Sequence, residues 1–180
     1  ADLARLQGDA GEHGGLAAET GEVLEDLADV GLVVVVADVV DAEHEGRLGQ
    51  VGDDDVRLAA ELAPGSLIAF TGGLGAGKTA FCQGIAEGLG CTDPVSSPTF
   101  AIVNYYRGPR PFAHFDLYRI HTEADLSAAG FYDYLDMGAV VAAEWSENCA
   151  DLLALENPIY INIDRLDDTT RKITITRPGA

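Results

Sequence analysis

Lys78 and Thr79 close the run Gly72-Gly73-Leu74-Gly75-Ala76-Gly77-Lys78-Thr79, which is a glycine, four residues and then Gly-Lys-Thr. That spacing is the pattern of a loop that cradles phosphate. Glycines let the backbone turn successive N–H groups inward around phosphate oxygens. The first turn of a following helix adds unpaired N–H groups and the positive end of its dipole. The lysine brings a point charge to the β- and γ-phosphates, and the threonine hydroxyl suits Mg²⁺. The flanks agree with this chemistry. Ser66-Leu67-Ile68-Ala69-Phe70-Thr71 is a short apolar run suited to a buried parallel strand, and Ala80, Phe81, Ile85, Ala86 and Leu89 recur at helical spacing.

A nucleoside triphosphate with Mg²⁺ also needs a carboxylate at the end of a neighbouring apolar strand. Glu144 meets that requirement, since it follows Ala139-Val140-Val141-Ala142-Ala143. Asp116, in His114-Phe115-Asp116-Leu117-Tyr118-Arg119, is an acid among aromatic and aliphatic neighbours. Such a group is costly unless it is paired or functional. It can orient an attacking water or the metal's surroundings, or it can be a buried partner of Arg119 or of a backbone amide. His114 reads as structural rather than catalytic. Ser96-Ser97-Pro98-Thr99 is a hydroxyl-rich loop of the kind that switches near a γ-phosphate, or an ordinary Ser-Pro turn. Trp145, the sole tryptophan, is read equally as a nucleotide contact or as core.

The elements that must position these residues follow from periodicity and breakers. One of Asp53, Asp54 and Asp55 caps a helix through Val56, Leu58, Ala59 and Leu62, and Pro64-Gly65 ends it. The strand, the glycine loop and its helix come next, with Gly88 and Gly90 at the helix end. Ala101 to Tyr106 and Phe112 to Ile120 read as a hairpin around Arg107-Gly108-Pro109-Arg110-Pro111. Thr122 caps a helix ending near Gly130, residues 139–143 form an apolar strand, and Ser146 caps a helix towards Leu155. Ile159 to Ile163 and Lys172 to Thr176 are closing strands joined at Asp167-Asp168. Buried parallel strands mixed with hairpins predict an α/β fold with some antiparallel strands. In such sheets ligands bind beyond the carboxyl ends of the strands, so the loop after Thr71 and the acid after Ala143 are expected to face one crevice.

Charge divides the chain. The 180 residues carry 11 basic and 30 acidic side chains, a net of −19. Residues 1–55 hold only Arg5 and Arg47 against fifteen acids, with no lysine and no aromatic residue. This segment reads as an acidic extension, with residues 56–180 as the domain that carries the phosphate loop. Within it Leu32 to Val40 looks like a strand and Gly21 to Ala28 like a short helix. Two origins stay open for it: a partly ordered native extension, or a stretch that is not a native coding product. A surface this acidic repels phosphate backbones, which argues against direct tight binding of nucleic acid. No run of about 18 apolar residues and no basic-then-apolar start is present, so a cytoplasmic protein is expected. Cys82, Cys91 and Cys149 lack metal-like spacing and read as reduced thiols.

Taken together and in order, Gly72 to Thr79, Ser97-Pro98-Thr99-Phe100, His114 to Arg119 and Glu144-Trp145 resemble the TsaE (YjeE) family over about residues 56–178. The resemblance implies an α/β fold of P-loop NTPase type, a mixed sheet with helices on both faces and an antiparallel hairpin insertion, and it implies Mg²⁺-ATP binding with slow hydrolysis. It implies work alongside the TsaB and TsaD proteins, which attach threonylcarbamoyl to adenosine 37 of tRNA, and contact with tRNA only through that complex. It implies that Lys78 and Thr79 bind phosphate and Mg²⁺, that Glu144 completes the metal site, that Asp116 is needed for hydrolysis and that Thr99 lies in the switch loop. Residues 72–79 with Trp145 are taken as the nucleotide contacts, and Lys78, Asp116 and Thr99 as the catalytic set. Two departures stand out. Gly73 occupies a place that is usually acidic in relatives, and no threonine stands just before Val56 where relatives have one that touches the nucleotide. Two other functions use the same loop: a small-molecule kinase, for which Arg107, Arg110 and Arg119 offer no evident lid, and a non-catalytic nucleotide-sensing adaptor.

Overall fold

The computed structural model describes residues 22–27, 32–38, 54–168 and 170–177, the first two segments through their backbone pairing alone. The strands are β1 (Glu22–Leu27), β2 (Leu32–Asp38), β3 (Leu67–Thr71), β4 (Val103–Tyr106), β5 (Phe112–Asp116), β6 (Val140–Glu144), β7 (Ile159–Arg165) and β8 (Thr170–Thr176). The helices are α1 (Asp54–Glu61), α2 (Lys78–Gly88), α3 (Glu123–Ala128), α4 (Phe131–Asp136) and α5 (Ala150–Leu153).

One mixed sheet runs β1-β2-β8-β7-β3-β6-β5-β4. Its centre is parallel: β3 pairs with both β6 and β7, and β5 pairs with β6. Its flanks are antiparallel hairpins, β4 on β5 at one side and β8 on β7 at the other. The strands β3, β5 and β6 of this centre are apolar except at His114 and at their last residues, Thr71, Asp116 and Glu144. β5 and β6 are buried throughout, and β3 throughout except at Thr71, which only a sheet covered on both faces can accommodate.

Alternation assigns those side chains to two cores. Ile68, Phe70, Val140, Ala142 and Phe112 join Leu58, Ala59 and Leu62 of α1 and Phe81, Cys82, Ile85 and Ala86 of α2. Leu67, Val141, Ala143, Ala113 and Phe115 join Leu126, Phe131 and Leu153 on the opposite face. Helices therefore cover both faces, as expected. Phe81 and Ile85 have no exposed surface, and burial of such side chains contributes about 1.5–3 kcal/mol each. That burial holds α2 against the sheet with its first residues at the strand ends.

The structure corrects several local expectations. Residues 21–28 were expected to be a short helix; residues 22–27 are instead a strand paired antiparallel with β2. Six residues are too few to hold a helix without tertiary support, and the neighbouring valine-rich strand offers a complete hydrogen-bonding edge. β2 in turn pairs with β8 over Leu32–Asp38; Val39 and Val40 lie outside the described residues, as does Asp53. The expected Phe112–Ile120 strand stops at Asp116. One expected helix after Thr122 is two, since Gly130, at φ 73°, follows the end of α3 and serves as the N-cap of α4. The Thr122 cap itself is present: its side chain accepts from the Asp125 amide in a capping box. Such a cap contributes about 1 kcal/mol. Ser146 does not cap a helix. Its hydroxyl donates to the Phe70 carbonyl at 2.9 Å, and residues 146–149 form a 3₁₀ turn ahead of the four-residue α5.

Candidate functional site: the glycine loop and its carboxylates

The loop between β3 and α2 is shaped by what its residues cannot do otherwise. Gly72 sits at φ 131°, and a Cβ there would lie 2.4 Å from the Ile163 carbonyl oxygen, so any side chain would push the loop off β7. Gly77, at φ 112°, is the N-cap of α2 and lets the chain enter the helix from a conformation that L side chains resist. Cβ atoms at Gly73, Gly75 and Gly77 would meet nothing within 4 Å among the described residues, so those residues leave room beside the loop there. Ala76 is buried, and Leu74 is almost fully exposed at the loop's apex.

Lys78 curls back over this loop. Its Nζ donates to the Gly72 carbonyl at 2.6 Å and to the Gly73 carbonyl at 3.0 Å. It also lies 4.6 Å from the centre of the Trp145 ring, close enough for a cation–π attraction. Two of the ammonium's three donors are thus used by the loop itself. Trp145 follows Glu144 with φ 59° and meets Tyr118 edge to face at 5.3 Å. It belongs to neither core cluster, and its ring faces the loop lysine.

The carboxylate side of the site begins at the second residue of α2. The Thr79 hydroxyl donates to Glu144 Oε1 at 2.8 Å. His114 Nε2 meets the same oxygen at 2.9 Å. Burial raises the Glu144 pKa, but the His114 hydrogen bond and charge, the Thr79 bond and the Lys78 charge together outweigh it and leave the carboxyl below its ordinary value. The expectation that the loop and Glu144 share one crevice therefore holds.

Asp116 and Glu144 are register partners at the ends of parallel β5 and β6, and both are buried. Of the two partners left open for Asp116, the structure selects the backbone amide: Asp116 Oδ1 accepts from the Tyr118 N–H at 2.9 Å. Arg119 donates instead to the Thr99 carbonyl at 2.8 Å. Thr99 also shares a 2.8 Å hydrogen bond with the Ser97 hydroxyl, and the next residue, Phe100, is almost wholly exposed. Ile102, which ends this loop, has φ 70°, a strained value for a β-branched residue. Its carbonyl accepts from the Asp116 amide at 2.9 Å. The Ile102–Asp116 backbone bond thus joins the hydroxyl loop to Asp116, and Arg119 holds the same loop at Thr99.

Three supporting residues were not evident from sequence. His114, read as structural, touches the candidate metal carboxylate. Arg171 is buried on β8 and donates from Nε to the Ala76 carbonyl at 3.1 Å, bracing the loop from behind, while its Nη1 holds the Asp167 and Thr170 carbonyls. Asn162 accepts from the Thr71 hydroxyl at 2.8 Å where β3 meets the loop. The alternation of β8 marked Arg171 as inward-facing, which is the one signal that could have found it; nothing in the sequence marked Asn162.

A parallel-centred sheet with a glycine loop leading from a central strand into a helix is the P-loop NTPase type of α/β fold. Within that class the chain belongs to the TsaE family: the family model of threonylcarbamoyl adenosine biosynthesis protein TsaE matches residues 49–173. The tRNA threonylcarbamoyladenosine biosynthesis protein TsaE of Bacillus subtilis is 40% identical over 122 residues, 67% of this chain and 75% of the relative. That of Synechocystis is 43% identical over 100 residues, 53% of this chain and 64% of the relative. A crystal structure of Bacillus subtilis YdiB superposes with a TM-score of 0.57 at 31% identity, covering 82% of this chain and 88% of that one. The chain's family role is therefore in tRNA threonylcarbamoyladenosine biosynthesis. Among the described residues no helix is long and apolar enough to cross a membrane.

Proposed function

We propose that the chain binds Mg²⁺·ATP at the glycine loop and hydrolyses it slowly, in the cytoplasm, to drive a cycle of the TsaB–TsaD complex that places threonylcarbamoyl on adenosine 37 of tRNA. The observation that carries this reading is the hydrogen bond from Thr79 to Glu144 beside the Lys78-capped loop. It brings a lysine, a hydroxyl and a carboxylate together where the loop's own atoms leave room. The donor set fits the ligand: backbone amides and an ammonium suit phosphate oxygens, and oxygen ligands suit Mg²⁺.

Bound Mg²⁺·ATP supplies a labile phosphoryl group and a divalent charge that draws electron density from it. The protein's part is positional. The amides of Gly73, Leu74, Gly75 and Gly77 and the third donor of Lys78 would hold phosphate oxygens, while the Ala76 amide closes the loop on the Gly73 carbonyl. Thr79 and Glu144 offer oxygens to the metal, with His114 orienting the Glu144 carboxylate. Asp116, fixed by the Tyr118 amide one strand away, keeps a second carboxylate at the same sheet edge to accept a proton from a water. The Ser97–Thr99 loop, tied to Asp116 through the Ile102 carbonyl and held by Arg119 at Thr99, transmits nucleotide state to the surface at Phe100. Contact with tRNA is through the partner proteins.

Phosphate release measured with and without TsaB–TsaD tests this. Slow release that depends on Mg²⁺ and responds to the partners is expected. Release only with an added small-molecule acceptor would make the chain a kinase, and nucleotide binding with no release under any condition would make it an adaptor.

A further inference from the structure

Behind the glycine loop lies a group of side chains that the proposed ATPase cycle uses only in part. Cys82 lies three residues, and so about one helical turn, beyond Thr79 on α2. Its Sγ, a ring nitrogen of His114 and a carboxylate oxygen of Glu144 all lie within 4.8 Å of one another. Cys82 and His114 have no exposed surface and Glu144 has 5%. Sequence spacing gave no sign of this trio, because its members come from α2, β5 and β6.

A second observation points at a ligand. His114 Nδ1 is fully buried and, among the described residues, has no hydrogen-bond partner. Buried imidazole nitrogens are nearly always satisfied, and leaving one unsatisfied is costly. With Nε2 on Glu144, one ring nitrogen is committed and the other is idle in a dry environment. A thiol, an imidazole and a carboxylate are the N, S and O donors that four-coordinate Zn²⁺ takes, and Mg²⁺ takes neither the sulfur nor the nitrogen.

We propose that Cys82, His114 and Glu144 form a binding site for a thiophilic divalent transition metal, Zn²⁺ or its analogue Co²⁺. Binding breaks the Cys82 S–H bond, releases that proton to solvent and forms a metal–sulfur bond; no electron is transferred. The half-buried Thr79 hydroxyl, already on Glu144, or a water completes four ligands. Separations of up to 4.8 Å must contract by roughly 1 Å to match metal–ligand bonds of about 2.0–2.3 Å, a movement within reach of side-chain rotation. Because the site takes Glu144, its occupation withdraws that carboxylate from Thr79.

The test is a Co²⁺ titration of the metal-free full chain, without nucleotide, followed by absorbance and by competition with Zn²⁺. A thiolate-to-cobalt charge-transfer band at one equivalent is expected. It should persist in Cys91→Ser, be lost in Cys82→Ser and Cys82→Ala, and form with at least about tenfold weaker affinity in His114→Gln. Circular dichroism melting confirms that each variant is folded. Absence of the band in the parent chain, its survival in Cys82→Ala, or its loss in Cys91→Ser overturns the assignment. None of these readouts depends on ATP binding, so the ATPase reading can fail without touching this one.

Discussion

Thr79 and Glu144, 65 residues apart, meet through a 2.8 Å hydrogen bond, and the contact links the start of α2 to the end of β6. Both residues are where they are for packing reasons. α2 lies on the sheet through Phe81 and Ile85, and β6 is buried along its length. The two ends can only converge at the carboxyl edge of the sheet. A hydroxyl and a carboxylate that share a hydrogen bond in the free protein can turn towards a common cation with little movement.

Replacing Lys78 by alanine is expected to weaken ATP binding about ten- to a hundredfold. A hydrogen bond to a charged group is worth about 1.5–3 kcal/mol, and each 1.4 kcal/mol is tenfold in affinity. Quenching or enhancement of the Trp145 fluorescence is the measurement, since the chain has a single tryptophan and its ring lies 4.6 Å from the Lys78 ammonium. Unchanged affinity in the variant would remove the phosphate-binding role of the loop.

Glu144→Ala is expected to keep the fold and lose the Mg²⁺ dependence of nucleotide binding. Titrations of ATP at several Mg²⁺ concentrations check it. An unaltered metal dependence would transfer the role to Asp116, the register partner of Glu144 across β5 and β6.

Arg171→Met should lower stability by about 1–3 kcal/mol, because it strips the guanidinium from the Ala76, Asp167 and Thr170 carbonyls and removes the donor from the buried contact at Ala76. It should also weaken nucleotide binding, since Ala76 belongs to the loop. Urea unfolding and the fluorescence titration separate the two effects; a stability loss with unaltered affinity would show that the loop needs no brace.

The depressed pKa of Glu144 has a defined sign. A carboxyl held below its ordinary 4.5 contributes stability that is present above that pH and is lost as pH falls through the lower folded value. The stability difference between the parent and Glu144→Gln should therefore be constant from neutral pH to about 5 and shrink below 4.5. Urea midpoints of both proteins across pH 3–7 measure it. A difference that grows in acid would contradict the hydrogen bonds drawn here.

Gel shifts with the isolated chain at physiological salt should show no submicromolar tRNA binding, because a net charge of −19 opposes the phosphate backbone. Tight binding without partner proteins would overturn the view that tRNA is reached only through the complex.

The sequence by itself determined the loop, its strand and helix, the parallel centre of the sheet and the acid at the end of β6. Each of these is a local matter. Positive-φ glycines, an apolar run too dense for a half-exposed strand, and helical spacing can all be read within about ten residues. What needed tertiary structure was every relationship between distant elements. Asp116 was found with the Tyr118 amide and Arg119 with the Thr99 carbonyl, a choice between partners that spacing left open. The 22–27 segment became a strand because β2 offered it an edge, and Ser146 turned from a helix cap to the Phe70 carbonyl. Arg171 reached Ala76 across 95 positions. His114, unremarkable along the chain, came to rest on Glu144 with its other nitrogen unpaired. Hydrogen bonds of this kind are selected by which groups packing leaves dry and adjacent, and the order of residues along one strand does not encode that.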